Sequence, residues 1–490
     1  MESPLNGNAR RRLPIVAGIA AVAAAVVAAS LSMAFPKAFS SAIPVGAEAS
    51  VPGSPPANQP ANQPANQGAN QGANQGADQA ASQAGNQSAN QPAKPAAAPV
   101  KAAAAAGGCG RPVGRTPAVR VTEIKTGSRV TGYGGEGDTE KLPTAIASRP
   151  GGSWLAWLGT DGKVYLGKLD CNDRLIGKAT SFTAIDLQDV QADANGGVLL
   201  LTRKGSCGTG PLCGGASSPC NTMHLVRFDN AGRTVWDRQV TNLTGSRAGY
   251  TDGARFVWWY QHHGRLASDG ATYAAYFGVA ITVRNGKCVD IHEGDRMQVV
   301  NGKGALVSGH RDSFEVGCSH SWTGRIVWDP RTRRYVTVCA TDNACRIAQP
   351  NPYRTVAAGA CDGTLFGGDL VLAKAKGYWT AWSQGGRARL AHFTTGKADT
   401  NIGTAAGTRH PHLVGYGSGR MLLAWQSGSA TAAQVYDSGT GKAVGARLTI
   451  GVRDHDYQAF KSYPDGSVAY PAAGSTGTSI RIARVLPSTM

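Results

Sequence analysis

The feature that most narrows the fold is a unit recurring seven times: a short strand, a Gly- or Asp-Gly-type turn, then a strand of bulky apolar or aromatic residues. It reads TAIASRPGGSWLAWLG at 144–159, DVQADANGGVLLLTRKG at 189–205, GRLASDGATYAAYFGV at 264–279 and GRIVWDPRTRRYVTVCA at 324–340. It returns as LVLAKAKGYWTAWSQG at 370–385, PHLVGYGSGRMLLAWQSG at 411–428 and QAFKSYPDGSVAYPAAG at 458–474. Further strand-like text follows the copies, such as VYLGKLD after the first and SIRIARVL after the last, so each repeat supplies two hairpins. The turn glycines Gly152 and Gly197 lie 45 residues apart, and Gly377, Gly419 and Gly466 are spaced by 42 and 47. That period predicts an all-β fold, a seven-bladed β-propeller, with six or eight blades as the alternative counts. Longer middle intervals around Gly270 place inserts near 203–222 and 284–320. The segment 118–131, AVRVTEIKTGSRVT, reads as a strand that pairs with the last blade and closes the ring.

The repeats begin only after a long leader. Residues 1–36 hold Arg10, Arg11 and Arg12 before an uncharged run at 15–35, bounded by Pro14 and Pro36. As a helix that run spans about 30 Å, one hydrocarbon core, and the arginines favour an inside N-terminus. A cleaved signal peptide and an uncleaved single-span transmembrane anchor compete. The length favours the anchor, although small-residue cleavage sites exist around Ala38 and Ala47. Residues 37–106 form a linker; from 51 onward it repeats Ala-Asn-Gln-Pro or Ala-Asn-Gln-Gly and then turns Ala/Pro/Lys-rich. So few large apolar side chains cannot offset the entropy of ordering, which predicts a disordered tether with a reach of about 40 Å. The propeller domain is 107–490.

All ten cysteines lie after the tether, from Cys109 to Cys361. An even number behind an export segment reads as disulfides in an oxidising compartment, hence an extracytoplasmic, anchored or secreted domain. No CxxC pair occurs. Cys339 with Cys345 is one short loop to close, and two of Cys207, Cys213 and Cys220 make another. The stretches His292-Glu293-Gly294-Asp295 and Gly317-Cys318-Ser319-His320-Ser321, set among the middle blades, resemble a group of exported, cysteine-containing bacterial β-propeller-like proteins of unassigned function. The resemblance covers mainly 250–365 and implies export and cysteine pairing; it brings no catalytic residues. Gly294-Asp295 itself reads as a hairpin turn in an insert, or as a cation-binding loop.

Candidate site residues come from aligning the repeats. Residues just before the innermost strand of each blade converge on one mouth of the central channel. Those positions hold His262 and His263 before blade three, His320 and Trp322 before blade four, and Arg409, His410 and His412 at blade six. Blade seven adds Asp454, His455, Asp456 and Tyr457, and blade one adds Glu140 and Lys141. Six of the ten histidines thus fall at equivalent places in four blades. Three readings are open: a divalent metal held by His263, His320, His412 and His455 with carboxylate help; a polar organic ligand with Trp322 and Tyr457 as stacking faces; or a solvated mouth whose histidines pin loops. His310-Arg311-Asp312-Ser313 has the composition of a triad, but triad members need not be sequence neighbours, and local composition is poor evidence. No Gly-x-Ser-x-Gly elbow, P-loop or His-Glu-x-x-His occurs.

Charge weighs on the partner. The chain carries 49 Lys+Arg against 31 Asp+Glu. Residues 1–106 hold six of the former and three of the latter, leaving 43 and 28, or +15, for the domain. The leading expectation is a tethered domain that binds a polar or anionic extracellular glycan or surface protein at the channel mouth. The alternatives are a metal-assisted polysaccharide lyase or hydrolase, using His455 with Tyr457 or His320 with Tyr416, and a structural scaffold of the cell envelope. Nucleic acid is not expected, because the basic residues are interleaved rather than gathered into an aromatic-rich stripe.

Overall fold

The computed structural model describes residues 109–490, except 133–141, 207–212, 214–220, 242–253, 257–263, 286, 308–309, 315–316, 319–322, 342–344, 352, 363, 396–397, 407, 454 and 456. The expected anchor and tether therefore lie outside the described residues. Among the described residues, no helix is long and apolar enough to cross a membrane.

Seven antiparallel sheets form a closed ring, a seven-bladed β-propeller. Their innermost strands are Thr144–Arg149, Asp189–Ala192, Gly264–Ser268, Thr323–Asp329, Phe366–Leu372, Thr408–Tyr416 and Lys461–Ser462. Each lies beside the inner strand of the next blade, and the seventh returns to the first. Second strands are sandwiched between two sheet neighbours and two flanking blades, so they read as unbroken apolar runs. Gly152–Leu158 is buried along its whole length. Outer strands face water, and Leu175–Thr183 has no buried residue along its length. Sheet position thus explains which strands of a blade read as continuous apolar runs and which as polar.

The core is divided into seven clusters, one at each interface between blades. Aromatic side chains also bridge these interfaces with hydrogen bonds. The Trp154 indole donates to the Gly196 carbonyl (3.0 Å), the Tyr273 hydroxyl to Asp193 (2.9 Å) and the Tyr378 hydroxyl to Asp329 (2.8 Å). Each ring buries a large apolar area and still satisfies its polar tip.

The strand Ala118–Lys125 pairs antiparallel with Ser479–Leu486, as its sequence predicts, and completes the seventh blade. Closure is reinforced by charge. Arg484, fully buried, grips Asp173 of blade one with Nε and Nη2 at 2.9 and 2.5 Å. The Cys109–Cys171 disulfide and the Arg111–Asp465 ion pair (2.5 Å) hold the start of the domain to the same face. Inner strands run away from the mouth, so Asp173 and Asp465, in the turns that follow, mark the opposite face of the disc.

Three expectations need correction. The region 284–320 is not simply an insert: Thr272–Asn285 and Cys288–Asn301 form one long hairpin of blade three. Gly294 and Asp295 pair with Val279 and Gly278 in mid-strand, so they make neither a hairpin turn nor a cation loop. Cys339 pairs with Cys318 rather than Cys345, Cys345 with Cys361, and Cys213 with Cys288. Cys207 and Cys220 lie outside the described residues.

Candidate functional site

The inner strands of blades five and six carry the same irregularity. Between Gly367 and Leu370, and again between Arg409 and His412, one extra residue enters the strand opposite its partner. Such bulges re-aim side chains. Here they bring Asp369 and His412 to the axis from neighbouring blades. His410, within the second bulge and just before Pro411, has φ +50°, a conformation that costs about 1–3 kcal/mol for a residue with a Cβ. The two bulges interlock, since a Cβ on Gly368 would press on the Pro411 carbonyl at 2.5 Å.

Asp369 is the hub. Arg325 Nε of blade four lies 2.9 Å from its carboxylate, Arg265 Nε of blade three 3.9 Å, and His412 Nδ1 3.5 Å. Its second oxygen accepts the Leu413 amide at 3.3 Å. Burial alone would raise this carboxyl. Arg325, the hydrogen bond from His412 and the charge of Arg265 override it and hold Asp369 well below the usual carboxylate range. A second pair crosses the axis nearby: Lys461 reaches Asp189 at 2.7 Å, and Asp189 accepts the Leu266 amide at 3.0 Å. Arg265, Arg325, Asp369 and Lys461 line an axial cavity of about 340 Å³.

Above this girdle sits the histidine cluster. His410 and His455 meet edge to face at 5.8 Å, and His455 lies 6.1 Å from the Tyr457 ring. His412 is wholly buried against Phe460 and Tyr470. Burial first, then His410, His412 and Arg453, push the His455 imidazole down to about 3. It is therefore neutral throughout the physiological range, with a lone pair to accept a hydrogen bond or ligate a metal.

The structure thus brings together His410, His412, His455 and Tyr457. His262, His263, His320, Trp322, Asp454 and Asp456, with Glu140 and Lys141, lie outside the described residues, as does the side chain of Arg409. Of the four expected metal ligands, only His412 and His455 are placed. Among the described residues, one group of three metal-type ligand atoms lies within 4.8 Å, Asp295 with Cys318 and Cys339, and those two sulfurs form a disulfide. Tyr416 stands at the end of its strand, away from the mouth, and its hydroxyl donates to the Leu486 carbonyl at 2.7 Å. Asp312 does not act as a triad carboxylate: Arg334 Nε (2.7 Å) and the Tyr335 amide (2.8 Å) occupy it. Reading for histidines missed Arg265, Arg325 and Asp369. The available signal was Gly-Arg repeated at the start of two consecutive apolar inner strands.

Fold and mouth together define a disulfide-bearing seven-bladed β-propeller with a charged, histidine-rimmed axis. No protein-family model matches the chain, and no curated protein does. Among solved structures, the crystal structure of a protein of unknown function from Dyadobacter fermentans DSM 18053 is similar, at 12% identity and TM-score 0.35, over 75% of this chain and 99% of that one.

Proposed function

We propose that this protein is an exported, membrane-tethered propeller that binds an anionic extracellular ligand, an acidic glycan or an acidic surface protein, at the mouth of its axis. The observation that carries the reading is the convergence of four consecutive blades, through Arg265, Arg325, Asp369 and His412, beneath the His410–His455 pair. Two strands accept bulges, and one residue a left-handed backbone, to build it. Irregularity of that kind concentrates at binding sites. Four disulfides among the described residues fit an oxidising compartment, and the +15 of the domain favours an anion at long range.

The experiment is a glycan array with residues 107–490, comparing uronic-acid oligomers with neutral oligomers of equal length. Retention of the acidic series, weakening as salt rises, is expected. Equal retention of both series, or of neither, removes the reading. A second reading has its own support: neutral His455 beside His410 suits a divalent metal that helps hold the anion. Metal analysis before and after chelation decides it, and a metal-free domain with unchanged binding excludes it.

A further inference from the structure

We propose that Arg265 is the positioning residue of the mouth: its side chain crosses the propeller axis and holds Tyr457, and with it His455, where a ligand meets them. The proposal rests on the mouth being the binding site. Blades three and seven stand three steps apart, the largest separation that a ring of seven allows, yet Arg265 Nη2 donates to the Tyr457 carbonyl at 2.6 Å. Its other terminal nitrogen donates to the carbonyl of Gly264 at 2.9 Å, which fixes the direction in which the guanidinium points. Arg325 in the next blade makes the same local bond to Gly324 at 2.9 Å, but its Nε turns to Asp369. Two Gly-Arg pairs that begin alike therefore end differently: one secures the girdle, the other reaches across it.

The bond is built to persist. Arg265 is only 4% exposed, so water competes poorly for its charge-assisted donors. A planar fork suits this task, because its two terminal nitrogens stand apart and each donates to a different carbonyl, Nη1 to Gly264 and Nη2 to Tyr457. On the blade-seven side the segment is fastened through the His455 amide, which donates to the Tyr470 hydroxyl at 2.9 Å, and through Gln458, which donates to the carbonyls of Thr144 (2.8 Å) and Pro471 (2.6 Å). All of those partners belong to blades one and seven. Arg265 adds a hold from across the axis, from blade three.

Hydrogen exchange on the full domain tests this. In Arg265→Ala, the amides of His455, Tyr457 and Gln458 are expected to exchange at least about tenfold faster, while those of 468–473 keep their protection. Millimolar guanidinium should restore slow exchange, which loss of packing alone would not allow. Affinity for a uronic-acid oligomer should fall and recover in parallel. Unchanged exchange at 455–458 overturns the proposal even where the oligomer still binds wild type. Faster exchange with no oligomer binding by wild type upholds the positioning role and removes the binding reading instead. Should Arg265→Ala not fold, the wild-type guanidinium decides: its Nη protons must be slow to exchange and close to Tyr457 in NMR spectra. Rapid exchange there refutes the cross-axis bond.

Discussion

At the scale of single residues, burial and backbone conformation set two properties that solution experiments read directly. His455 is held near 3 when folded, against an ordinary 6.5, so the unfolded chain takes up its proton first as pH falls. Stability is therefore full above about pH 6.5 and declines from there toward pH 3, by up to about 1.4 kcal/mol per pH unit. The depressed carboxyls, Asp369 and Asp329 among them, begin to contribute only below about pH 4.5, where unfolded carboxylates protonate. Urea unfolding between pH 6.5 and 4.5 should show this slope, and His455→Gln should flatten it; a slope surviving the substitution would assign it elsewhere. The second property is backbone strain. Gly152 has φ +147°, and a Cβ there would collide with the Leu169 carbonyl, so Gly152→Ala should cost about 3 kcal/mol. Gly151 has φ +71° with open space around it, and its alanine variant should cost only about 1 kcal/mol. Equal losses in chemical denaturation would mean that the conformational argument is wrong.

At the scale of elements, the repeat was legible because blade-forming text is local: a turn glycine and two short strands fit within about 17 residues, as does the closing strand at 118–125. What was not legible depends on distant partners. Nothing near Cys339 says that its mate lies 21 residues upstream, or that Cys213 reaches 75 residues to Cys288. The hairpin Thr272–Asn285 with Cys288–Asn301 was read as an insert because its strands are twice the usual length and Gly294-Asp295 imitates a turn. The site was half legible for a related reason. Histidines at blade starts stand out, whereas an arginine at the start of an apolar strand looks like a solvated strand end until the ring brings it to Asp369. The Cys109–Cys171 bond closes a long loop at the ring seam, and its removal as a double serine variant should lower unfolding free energy by about 4 kcal/mol. Loss of that size with wild-type secondary structure would confirm that the seam is stapled; no loss would show that strand pairing with 479–486 suffices.

At the scale of the whole molecule, the two faces of the propeller carry different residues. The chain arrives at the face holding Cys171 and Asp465, while the inner strands begin at the other, where His410 and His455 stand. On the proposed reading, the binding face is therefore the one opposite Cys109. Among the described residues, Arg265, Arg325, Asp369 and His412 meet across the axis at this level. On the proposed reading, a ligand approaches from the mouth. The most direct test is calorimetric titration of a uronic-acid oligomer into wild type and into the double variant His410→Asn/His455→Ala, asparagine being chosen because it tolerates the left-handed backbone at 410. The account predicts measurable, salt-sensitive binding by wild type and a loss of at least about tenfold in the variant, or about 1.4 kcal/mol. Equal affinity of the two proteins would contradict it.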